Sequence, residues 1–488
     1  MKKIRILSVV FLLGVIFLCP CLTGQNSTIN FNLEQYKLPF LKRHILEFDL
    51  NLSGSNYLNK IENEDEEQYR YLRNTYSAGL IPRYYFFYNS EKLQLWHNLT
   101  LDIPNFYSNN TESTGYKSKN HQLYPAINYN AELREYLSGK FFVEQDPAIN
   151  IAHRNYTYEY TNLDQNGEIS YSNMDESVTL NASTGLGLLA GWGRIEPVED
   201  ARLAVYILAD LKKAGYLARE PENQDIIRLA ERISEVRNER FFDSRHKTIW
   251  EMQQIDSLLK TMGIIAEDNI SYFNILRDNW DYASGPSRSS GFRISGGILP
   301  EIVYTDQDVS EETRYTDPDT TYSNKYVNSE RAFRGNILGR VEYQKPLNLY
   351  WQLSLSNELR FSRNSIRNTL TQDDDSENEE VTEYIEPGVQ NRFAFSIGYY
   401  PNTRTSLFMY TTETLQYMNS KQEDLDDLKT TGFSTSSGIE LNYYISPQLR
   451  LRLDTYFEWT NNKYRERSTG QDRNHDINVS LGITYMLL

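Results

Sequence analysis

The chain has 488 residues, with 50 lysines and arginines against 66 aspartates and glutamates, which gives a formal net charge of -16. This acidic balance argues against a general nucleic-acid-binding protein, which needs a basic surface to displace counterions from phosphates. An aromatic content of 13 %, with 37 tyrosines, argues against wholesale disorder, and two cysteines are too few for a disulfide-rich scaffold.

Residues 1–24 have the features of a secretory signal peptide. Basic residues near the start precede an apolar run of 13 residues, Ile6 to Leu18. That run is shorter than the about 20 residues that a membrane-spanning helix needs. The small residues Thr23 and Gly24 are suited to cleavage, so the sequence predicts an exported protein.

After the signal peptide, apolar and polar residues alternate along many segments, as on strands whose two faces differ. In residues 448–462, for example, Leu451 and Leu453 alternate with Arg450 and Arg452. Most of these segments are longer than the about five or six residues typical of strands in soluble proteins. The predicted strands are residues 42–58, 69–88, 92–103, 121–137, 140–160, 175–192, 291–305, 330–344, 348–364, 382–400, 404–418, 430–446, 448–462 and 473–488.

The connections between the predicted strands alternate in length. Short turns, such as Ser138-Gly139, alternate with polar stretches predicted as loops at residues 59–68, 104–120, 306–329, 365–381, 419–429 and 463–472. Transmembrane barrels have short turns on one side of the membrane and long loops on the other. Aromatic residues near the predicted strand ends, such as Trp192 and Trp459, are suited to the membrane interfaces. These patterns favour a transmembrane barrel over a soluble sandwich.

In these features, residues 25–195 and 282–488 resemble the outer-membrane β-barrel proteins of Gram-negative bacteria, with porin-like architecture and no specific family motif. The resemblance implies an all-β transmembrane barrel of about 14 antiparallel strands in the cell outer membrane, with strands 1–6 in the first part and strands 7–14 in the second. Outer-membrane lipid, lipopolysaccharide and the barrel assembly machinery are the partners that it implies. One departure is the C-terminus, which ends in Leu488 and not in an aromatic residue.

Between the two barrel parts, the period of the apolar residues changes from 2 to about 3.6, which predicts α-helices. Pro197 and Gly215 bound the first helix, a second begins near Pro221, a third ends at Gly263, and a short fourth follows. The order of the strands places this insert, residues 196–281, on the periplasmic side. We expect a periplasmic subdomain. The alternatives are a plug inside the lumen, a contact site for a periplasmic protein, or a long structured turn with no partner.

Charged residues at the polar positions of the predicted strands are the candidates for lining the lumen. They either set the electrostatic preference of a channel or pair across neighbouring strands and hold the wall. For any single residue, the pairing role is at least as well supported as a role in conduction. The candidate lumen residues are Arg293, Arg334, Arg340, Arg360, Arg392, Arg450, Arg452, Glu358, Glu440 and Glu458.

Signatures of catalysis are missing from the sequence. The six histidines have no metal-binding spacing, and no nucleophile elbow or phosphate-binding loop occurs. Acidic runs at 62–67, 373–380 and 423–427 are better interpreted as solvated loops than as calcium sites, and Asn166-Gly167 suits a hairpin turn better than an EF-hand loop. We therefore expect no enzyme activity, no catalytic or metal-binding residue, no cofactor and no nucleic-acid partner.

These observations favour a pore or transport component for small polar or amphiphilic solutes. The principal alternative is a membrane-anchored structural or interaction protein that uses the helical insert or the acidic outer loops. A third possibility is an enzyme whose catalytic residues meet only in the folded barrel wall.

Overall fold

The computed structural model of the chain describes residues 29–61, 69–112, 115–164, 167–239, 244–282, 288–316, 319–372, 379–422, 428–446, 449–465 and 469–485. The predicted signal peptide at 1–24 lies outside these residues, as do the acidic runs at 62–67 and 423–427 and most of the run at 373–380. Most of the described chain forms one antiparallel sheet, and four helices follow its seventh strand.

The strands of the sheet follow one another in sequence order. They are β1 (Leu41–Ile61), β2 (Tyr69–Asn89), β3 (Leu93–Glu112), β4 (Lys117–Leu123), β5 (Ala126–Ser138), β6 (Phe141–Leu163), β7 (Ile169–Pro197), β8 (Ser289–Thr316), β9 (Asp319–Pro346), β10 (Trp351–Gln372), β11 (Glu379–Tyr399), β12 (Thr405–Gln422), β13 (Leu428–Tyr444), β14 (Leu449–Arg465) and β15 (Thr469–Tyr485). Each strand pairs antiparallel with the next, except that β4 and β5 share one position between β3 and β6. The 15 strands therefore occupy 14 positions, because two of them share one.

The division between β4 and β5 falls at Pro125, within the segment predicted as one strand at residues 121–137. Proline has no N–H to donate to a strand ladder, so it interrupts the strand. The backbone nevertheless continues along the same position, because the Pro125 carbonyl accepts a hydrogen bond from the His153 N–H at 2.9 Å.

At the end of the sheet opposite the helices, the strands are longer than predicted. β8 and β9 together cover nearly all of the predicted loop at residues 306–329, and the predicted loops at 104–120 and 365–381 are also largely strand. The loop predictions are wrong here because both faces of these extensions carry polar residues. The alternation that marks a strand with one apolar face is then absent, although residues of high strand propensity remain.

The two faces of the sheet differ in chemistry. Ile298 of β8 lies between Leu188 of β7 and Ile337 of β9 in the strand register, and all three side chains are exposed on what we call the outer face. Side chains at the intervening positions point to the opposite side, which we call the inner face. The sheet curls around the inner face, since Gln94 of β3 donates a hydrogen bond to the Ile195 carbonyl of β7 at 3.4 Å. The predicted fold class, an antiparallel barrel of about 14 strands with a helical insertion, is confirmed.

The insert between β7 and β8 consists of α1 (Glu199–Lys213), α2 (Asn223–Arg237), α3 (Ser244–Thr261) and α4 (Ile270–Asp281). Gly215 and Gly263 follow α1 and α3 with φ angles of 81° and 63°, in the left-handed region that glycine adopts without strain. The Asn269 side chain caps α4 by accepting a hydrogen bond from the Tyr272 N–H. Within the described chain, none of the helices has the length and apolarity needed to cross a membrane.

The helices share one apolar core with residues 29–38, the segment that precedes β1. Leu33 and Tyr36 of this segment are buried in that core, and the Tyr36 hydroxyl donates a hydrogen bond to the Ala230 carbonyl of α2 at 3.5 Å. We call residues 29–38 the strap, and the strap together with α1–α4 the cap. The sequence analysis did not distinguish the strap from the strands that follow it. The segment is too short to show a period of its own.

Candidate functional site

The cap lies across one end of the curled sheet. The Tyr206 hydroxyl of α1 donates a hydrogen bond to the Tyr400 carbonyl, in the turn between β11 and β12, at 2.7 Å. Arg43 of β1 donates a hydrogen bond from its Nε to the Asn238 side chain, after α2, at 2.6 Å. Because β1 and β11 are far apart in the strand order, these contacts show that the cap extends from one side of this end to the other.

The turn between β11 and β12 and the end of β13 also contact the last helix and the residue that follows it. Arg404, in the turn between β11 and β12, forms an ion pair with Asp278 of α4. The Arg404 guanidinium also lies 4.4 Å from the centre of the Tyr282 ring, a cation–π contact. Tyr282 in turn makes an edge-to-face contact with Tyr444 at the end of β13. The cap is therefore attached through several separate polar and aromatic contacts.

Arg288, between the insert and β8, is fully buried at the junction of the cap and the sheet. Its guanidinium donates hydrogen bonds to the carbonyls of Asn348, Leu349 and Trp351 around the turn between β9 and β10. Burial lowers the pKa of Arg288 to about 10, and the nearby charge of Arg202 acts in the same direction. The junction thus depends on one buried cation that is held by carbonyl oxygens.

A cavity of about 660 Å³ lies on the inner face next to the cap. Its wall is built from residues of β2, β3, β5 and β7–β12, so it is enclosed by most of the curled sheet. Pro197 and Ser289, where the insert joins the sheet, belong to the wall and place the cavity at the cap end. Gln94, Arg293 and Glu342 provide polar and charged groups to the cavity. This volume is within the range of pockets that bind small molecules.

A row of alternating charges crosses the inner face beside the cavity. Arg134 of β5 binds Glu144 of β6 at 2.5 Å, and the two side chains are 5 % and 1 % exposed. Glu144 also lies 3.7 Å from Arg340 of β9. Arg340 and Arg360 both bind Glu358 of β10, at 3.3 Å and 2.8 Å. Three arginines and two glutamates from four strands therefore alternate, and each charge has a partner of opposite sign.

Small residues on the inner face of β7 and β8 make room for this row. Gly191 of β7 lies under the ring of Phe142 from β6, and a Cβ atom at Gly191 would be 2.5 Å from that ring. In register beside Gly191 is Ser295 of β8, and Ser295 lies next to Arg340 of β9. Long side chains from β6 and β9 can meet above β7 and β8 because the residues between them are short.

The register places the ten candidate lumen residues on the inner face. Among them, the arginines that form ion pairs with carboxylates are Arg293, Arg334, Arg340, Arg360 and Arg452. Glu440 is bound by Arg452 at 3.1 Å, and Glu458 accepts a hydrogen bond from the Tyr456 hydroxyl at 2.6 Å. Many of these charges are thus already compensated by neighbours on the wall.

Arg392 and Arg450 differ from the other candidates. Among the described residues, no carboxylate lies within the 4.0 Å of an ion pair from either guanidinium. Arg392 is directly opposite Glu358 in the register of β10 and β11, but Glu358 is bound by Arg340 and Arg360. The Arg450 guanidinium lies 5.8 Å from the centre of the Tyr444 ring. Among the ten candidates, these two are therefore the cations that no carboxylate neutralises within the described part of the chain.

Tyrosines line the inner face at the end of the sheet opposite the cap. The rings of Tyr116, Tyr160, Tyr171, Tyr315 and Tyr322 follow one another, with centres 4.6, 5.4, 5.1 and 6.2 Å apart. This tyrosine row passes from β4 to β9 in the strand order. The sequence analysis missed it because much of this region was predicted as loop. Tyrosines at every second position of β6 were a signal that could have revealed it.

The inner face offers fixed charges, amides and hydroxyl groups at defined positions. Within the residues that the structure describes, no group of three or more histidine, cysteine, aspartate or glutamate side chains is arranged to hold a metal ion. Such a surface binds polar solutes by hydrogen bonds and by charge, and it replaces contacts that those solutes make with water.

No protein-family model and no curated protein matches the chain. Among solved structures it is similar to the translocator domain of the autotransporter NalP from Neisseria meningitidis, at 7 % identity over 93 % of this chain and 91 % of that one, with a TM-score of 0.23. It is also similar to the RagAB peptide importer, at 8 % identity over 91 % of this chain and 53 % of that one, with a TM-score of 0.26.

A third similar structure is the CymD monoaromatic hydrocarbon channel, at 9 % identity over 92 % of this chain and 89 % of that one, with a TM-score of 0.13. All three are outer-membrane β-barrel proteins, the class that the sequence pattern resembles. Identities and TM-scores this low carry no argument about what the chain binds or transports.

Proposed function

We propose that the chain is an outer-membrane barrel that conducts small polar solutes and whose periplasmic end is covered by the cap. An apolar outer face and a polar inner face are the arrangement of a barrel that crosses a membrane around an aqueous interior. The cap end has the short turns, so we assign it to the periplasm. The observation that carries the proposal is the cavity of about 660 Å³, which is enclosed by the sheet next to the cap.

The chemistry of the cavity supports polar solutes. Gln94 and Ser354 provide an amide and a hydroxyl group, and Arg293 and Glu342 form an ion pair of 2.6 Å in the wall. An apolar solute would have to displace water from these groups without replacing its hydrogen bonds. A small polar solute makes such bonds itself, so we expect the pore to favour it.

The cap suits a role in controlling passage. Outside the three chain connections, its contacts with the sheet include hydrogen bonds and ion pairs, such as Arg43 with Asn238 and Arg404 with Asp278, beside the apolar packing of Leu349 and Phe87. Each such hydrogen bond contributes about 0.5–1.5 kcal/mol, so these polar contacts are exchanged for contacts with water at a modest cost in free energy. We propose that movement of the cap opens the periplasmic end.

Fixing the cap to β1 tests this proposal. In the full chain with Cys19 and Cys21 replaced by serine, a reducible methanethiosulfonate cross-linker would join the variant pair Arg43→Cys and Asn238→Cys before reconstitution into a planar bilayer. We expect a lower single-channel conductance with the cross-link than after reduction. The matched control is the pair Leu52→Cys and Ala78→Cys, which lie opposite each other on the outer face of β1 and β2. Equal conductance of the cap pair before and after reduction would contradict the role of the cap.

A second candidate function is the anchoring of an interaction module in the membrane. It is favoured by apolar side chains on the surface of the cap, such as Ile249 of α3 and Ile270 of α4, the latter 81 % exposed. Exposed apolar residues on a folded domain are suited to binding a periplasmic protein. This alternative predicts no single-channel conductance from either form of the cross-linked chain, whereas the pore predicts conductance at least after reduction.

A further inference from the structure

Two pairs of carboxylates lie directly opposite each other on the inner face. In the strand register, Asp175 of β7 faces Glu311 of β8, and Glu458 of β14 faces Asp476 of β15. Opposite side chains in an antiparallel pair have Cβ atoms about 4.5–5.5 Å apart, and like charges in this arrangement are unfavourable. The two pairs are about half the sheet apart in the strand order, so the fold accepts this electrostatic cost at two separate places.

Neither pair is neutralised by a basic side chain. Within the part of the chain that the structure describes, no lysine, arginine or histidine nitrogen lies within 4.0 Å of these four carboxylates. Asp175 accepts a hydrogen bond from the Asn173 amide at 2.7 Å, and Glu458 accepts one from the Tyr456 hydroxyl. Both donors are neutral groups, so the negative charge of each pair remains.

Negative charge extends along the wall at the end opposite the cap. On β7–β11, beyond the Glu301–Arg334 ion pair in the register, the described inner-face positions carry no basic side chain. On β1–β6, the basic side chains described on the inner face at this end are Arg73 and Arg154. Carboxylates outnumber them, since those on β7–β11 alone are Asp175, Glu311, Glu330, Glu380 and Glu386.

The tyrosine row lies next to the first carboxylate pair. Tyr171 is four residues from Asp175 and Tyr315 is four residues from Glu311, on the same face and farther from the cap. The faces of aromatic rings attract cations. A positively charged solute that enters from this end therefore meets the rings first and the carboxylates next.

We propose that the pore selects positively charged solutes and that small organic cations are its substrate class. Rings of aspartate and glutamate side chains give channels a preference for cations, and a cleft lined by one sign of charge concentrates solutes of the opposite sign about tenfold or more. Nearer the cap, the row of alternating charges is internally paired, and the unpaired Arg392 and Arg450 are fewer than the carboxylates. This inference rests on the proposed function, because it concerns the solutes that the pore conducts.

Reversal potentials in a planar bilayer test the selectivity, under a gradient of potassium chloride and then of tetramethylammonium chloride. The wild type is compared with the variant Asp175→Asn, Glu311→Gln, Glu458→Gln and Asp476→Asn. We expect the wild type to pass either cation about tenfold more readily than chloride, and this ratio to fall towards one in the variant. The wild-type preference should also weaken at about 1 M salt, where the screening length is only about 3 Å.

The matched control removes four carboxylates from the outer face of the same two strands, with the same change in net charge. It carries Glu176→Gln, Asp306→Asn, Asp308→Asn and Glu312→Gln, each at a position whose side chain points away from the lumen. We expect the control to keep the wild-type ratio. An equal loss of selectivity in both variants would assign the preference to the overall charge of the chain and would overturn the proposal.

The remaining outcomes separate this inference from the proposed function. No current from the wild type would overturn both, whereas current with equal permeability or with a preference for chloride would overturn only the inference. Preference for potassium without passage of tetramethylammonium would exclude organic cations as the substrate class. If calcium chloride raises the thermal unfolding midpoint of the wild type but not of the variant, the carboxylates hold a bound divalent ion instead.

Folding of the inner-face variant is checked by heat-modifiable migration on a gel. Removing like charges from opposite positions should not lower stability, so we expect the variant to fold. A large loss of stability would show that the carboxylates hold the wall and would contradict the proposal. If the fourfold variant does not fold, the pair Asp175→Asn and Glu311→Gln provides the comparison.

Discussion

Glu144 of β6 and Arg340 of β9 lie 3.7 Å apart, although β7 and β8 separate their strands in the sheet. The Glu144 carboxylate also binds Arg134 of β5, so one nearly buried carboxylate is shared by cations from both sides. The Arg340 side chain can reach across β8 and β7 because Ser295 and Gly191, which follow Arg340 in the strand register, are short. It connects two parts of the wall that backbone hydrogen bonds do not join directly.

The variant Glu144→Gln should be strongly destabilised. Removing one partner of a buried ion pair leaves an uncompensated charge and costs about 3–5 kcal/mol. Here Arg134 would lose its buried carboxylate and keep only the half-exposed Glu132 at 3.1 Å, while Arg340 would retain Glu358. Urea unfolding in detergent, followed by tryptophan fluorescence, measures the change.

The matched control for this variant is Glu159→Gln, which removes the carboxylate of an exposed pair with Lys119. Exposed pairs of this kind contribute up to about 1 kcal/mol, so the control should be nearly as stable as the wild type. A similar loss of stability in both variants would show that burial of the Glu144 pair does not account for its contribution to the free energy of unfolding.

A side chain at Gly191 should disturb assembly of the wall. The new Cβ atom of Gly191→Ala would lie 2.5 Å from the Phe142 ring and 2.4 Å from the Ile294 carbonyl oxygen. Overpacking of this kind costs about 1–3 kcal/mol. The yield of the folded form after refolding, measured by heat-modifiable migration, should fall. Gly339→Ala is the control, because no atom lies within 4 Å of its added Cβ, and an equal yield of the two variants would refute the explanation.

The sequence predicted the strands best where one face is apolar. Leu451 and Leu453 alternate with Arg450 and Arg452, and the structure places the two leucines on one face and the two arginines on the other. Strands with two polar faces, as in the long hairpin of β8 and β9, could not be predicted, because their sequence has no alternation of apolar and polar residues.

The candidate site was predictable only in part. Side chains alternate between the two faces of a strand, so the sequence predicts which arginines lie on the inner face. It does not predict which carboxylates they bind. Glu144 meets Arg340 through the curvature of the whole sheet, and no local pattern encodes that contact. Arg288 was missed for the same reason, since the carbonyls that hold it belong to a turn about 60 residues away along the chain. Contacts that depend on closure of the fold are not visible in a linear pattern.

Stability of the cap should decrease at alkaline pH through Tyr206. Burial raises the pKa of Tyr206 to about 12, from the ordinary value of about 10. The folded state therefore favours the neutral hydroxyl, and this contribution is complete below about pH 10 and is lost as the pH rises towards 12. Thermal unfolding of the full chain at a series of pH values between about 8 and 12 measures this loss of stability.

The variant Tyr206→Phe should weaken that alkaline dependence, and burial of Tyr36 and Tyr272, which also raises their pKa values, accounts for the part that remains. The variant should also be about 1 kcal/mol less stable at neutral pH, because the hydrogen bond to the Tyr400 carbonyl is removed. Tyr216→Phe, which removes an exposed hydroxyl of the cap, serves as the control and should keep the dependence. An unchanged alkaline profile in the Tyr206 variant would assign the effect to other groups.

Acid should weaken the cap through Asp225. The hydrogen bond from Arg219 holds the pKa of the Asp225 carboxyl below its usual value. A lowered folded-state pKa stabilises the folded form above the unfolded pKa of about 4, and this stabilisation is lost as the pH falls through the lower folded value. Asp225→Asn should therefore flatten the dependence of the thermal midpoint on acid pH. Glu220→Gln, a change of an exposed carboxylate nearby, should leave that dependence in place, and the reverse result would contradict the assignment.

The strap has a consequence for the path of the chain. It precedes β1, and it packs with the helices that follow β7, so the beginning and the end of the first seven strands are fastened together at one place. The contacts between the strap and the helices therefore join the two ends of this half of the wall. Loss of the strap contacts would weaken the attachment of β1 and of the helices at the same time, because the edge of the sheet and the cap depend on the same set of contacts.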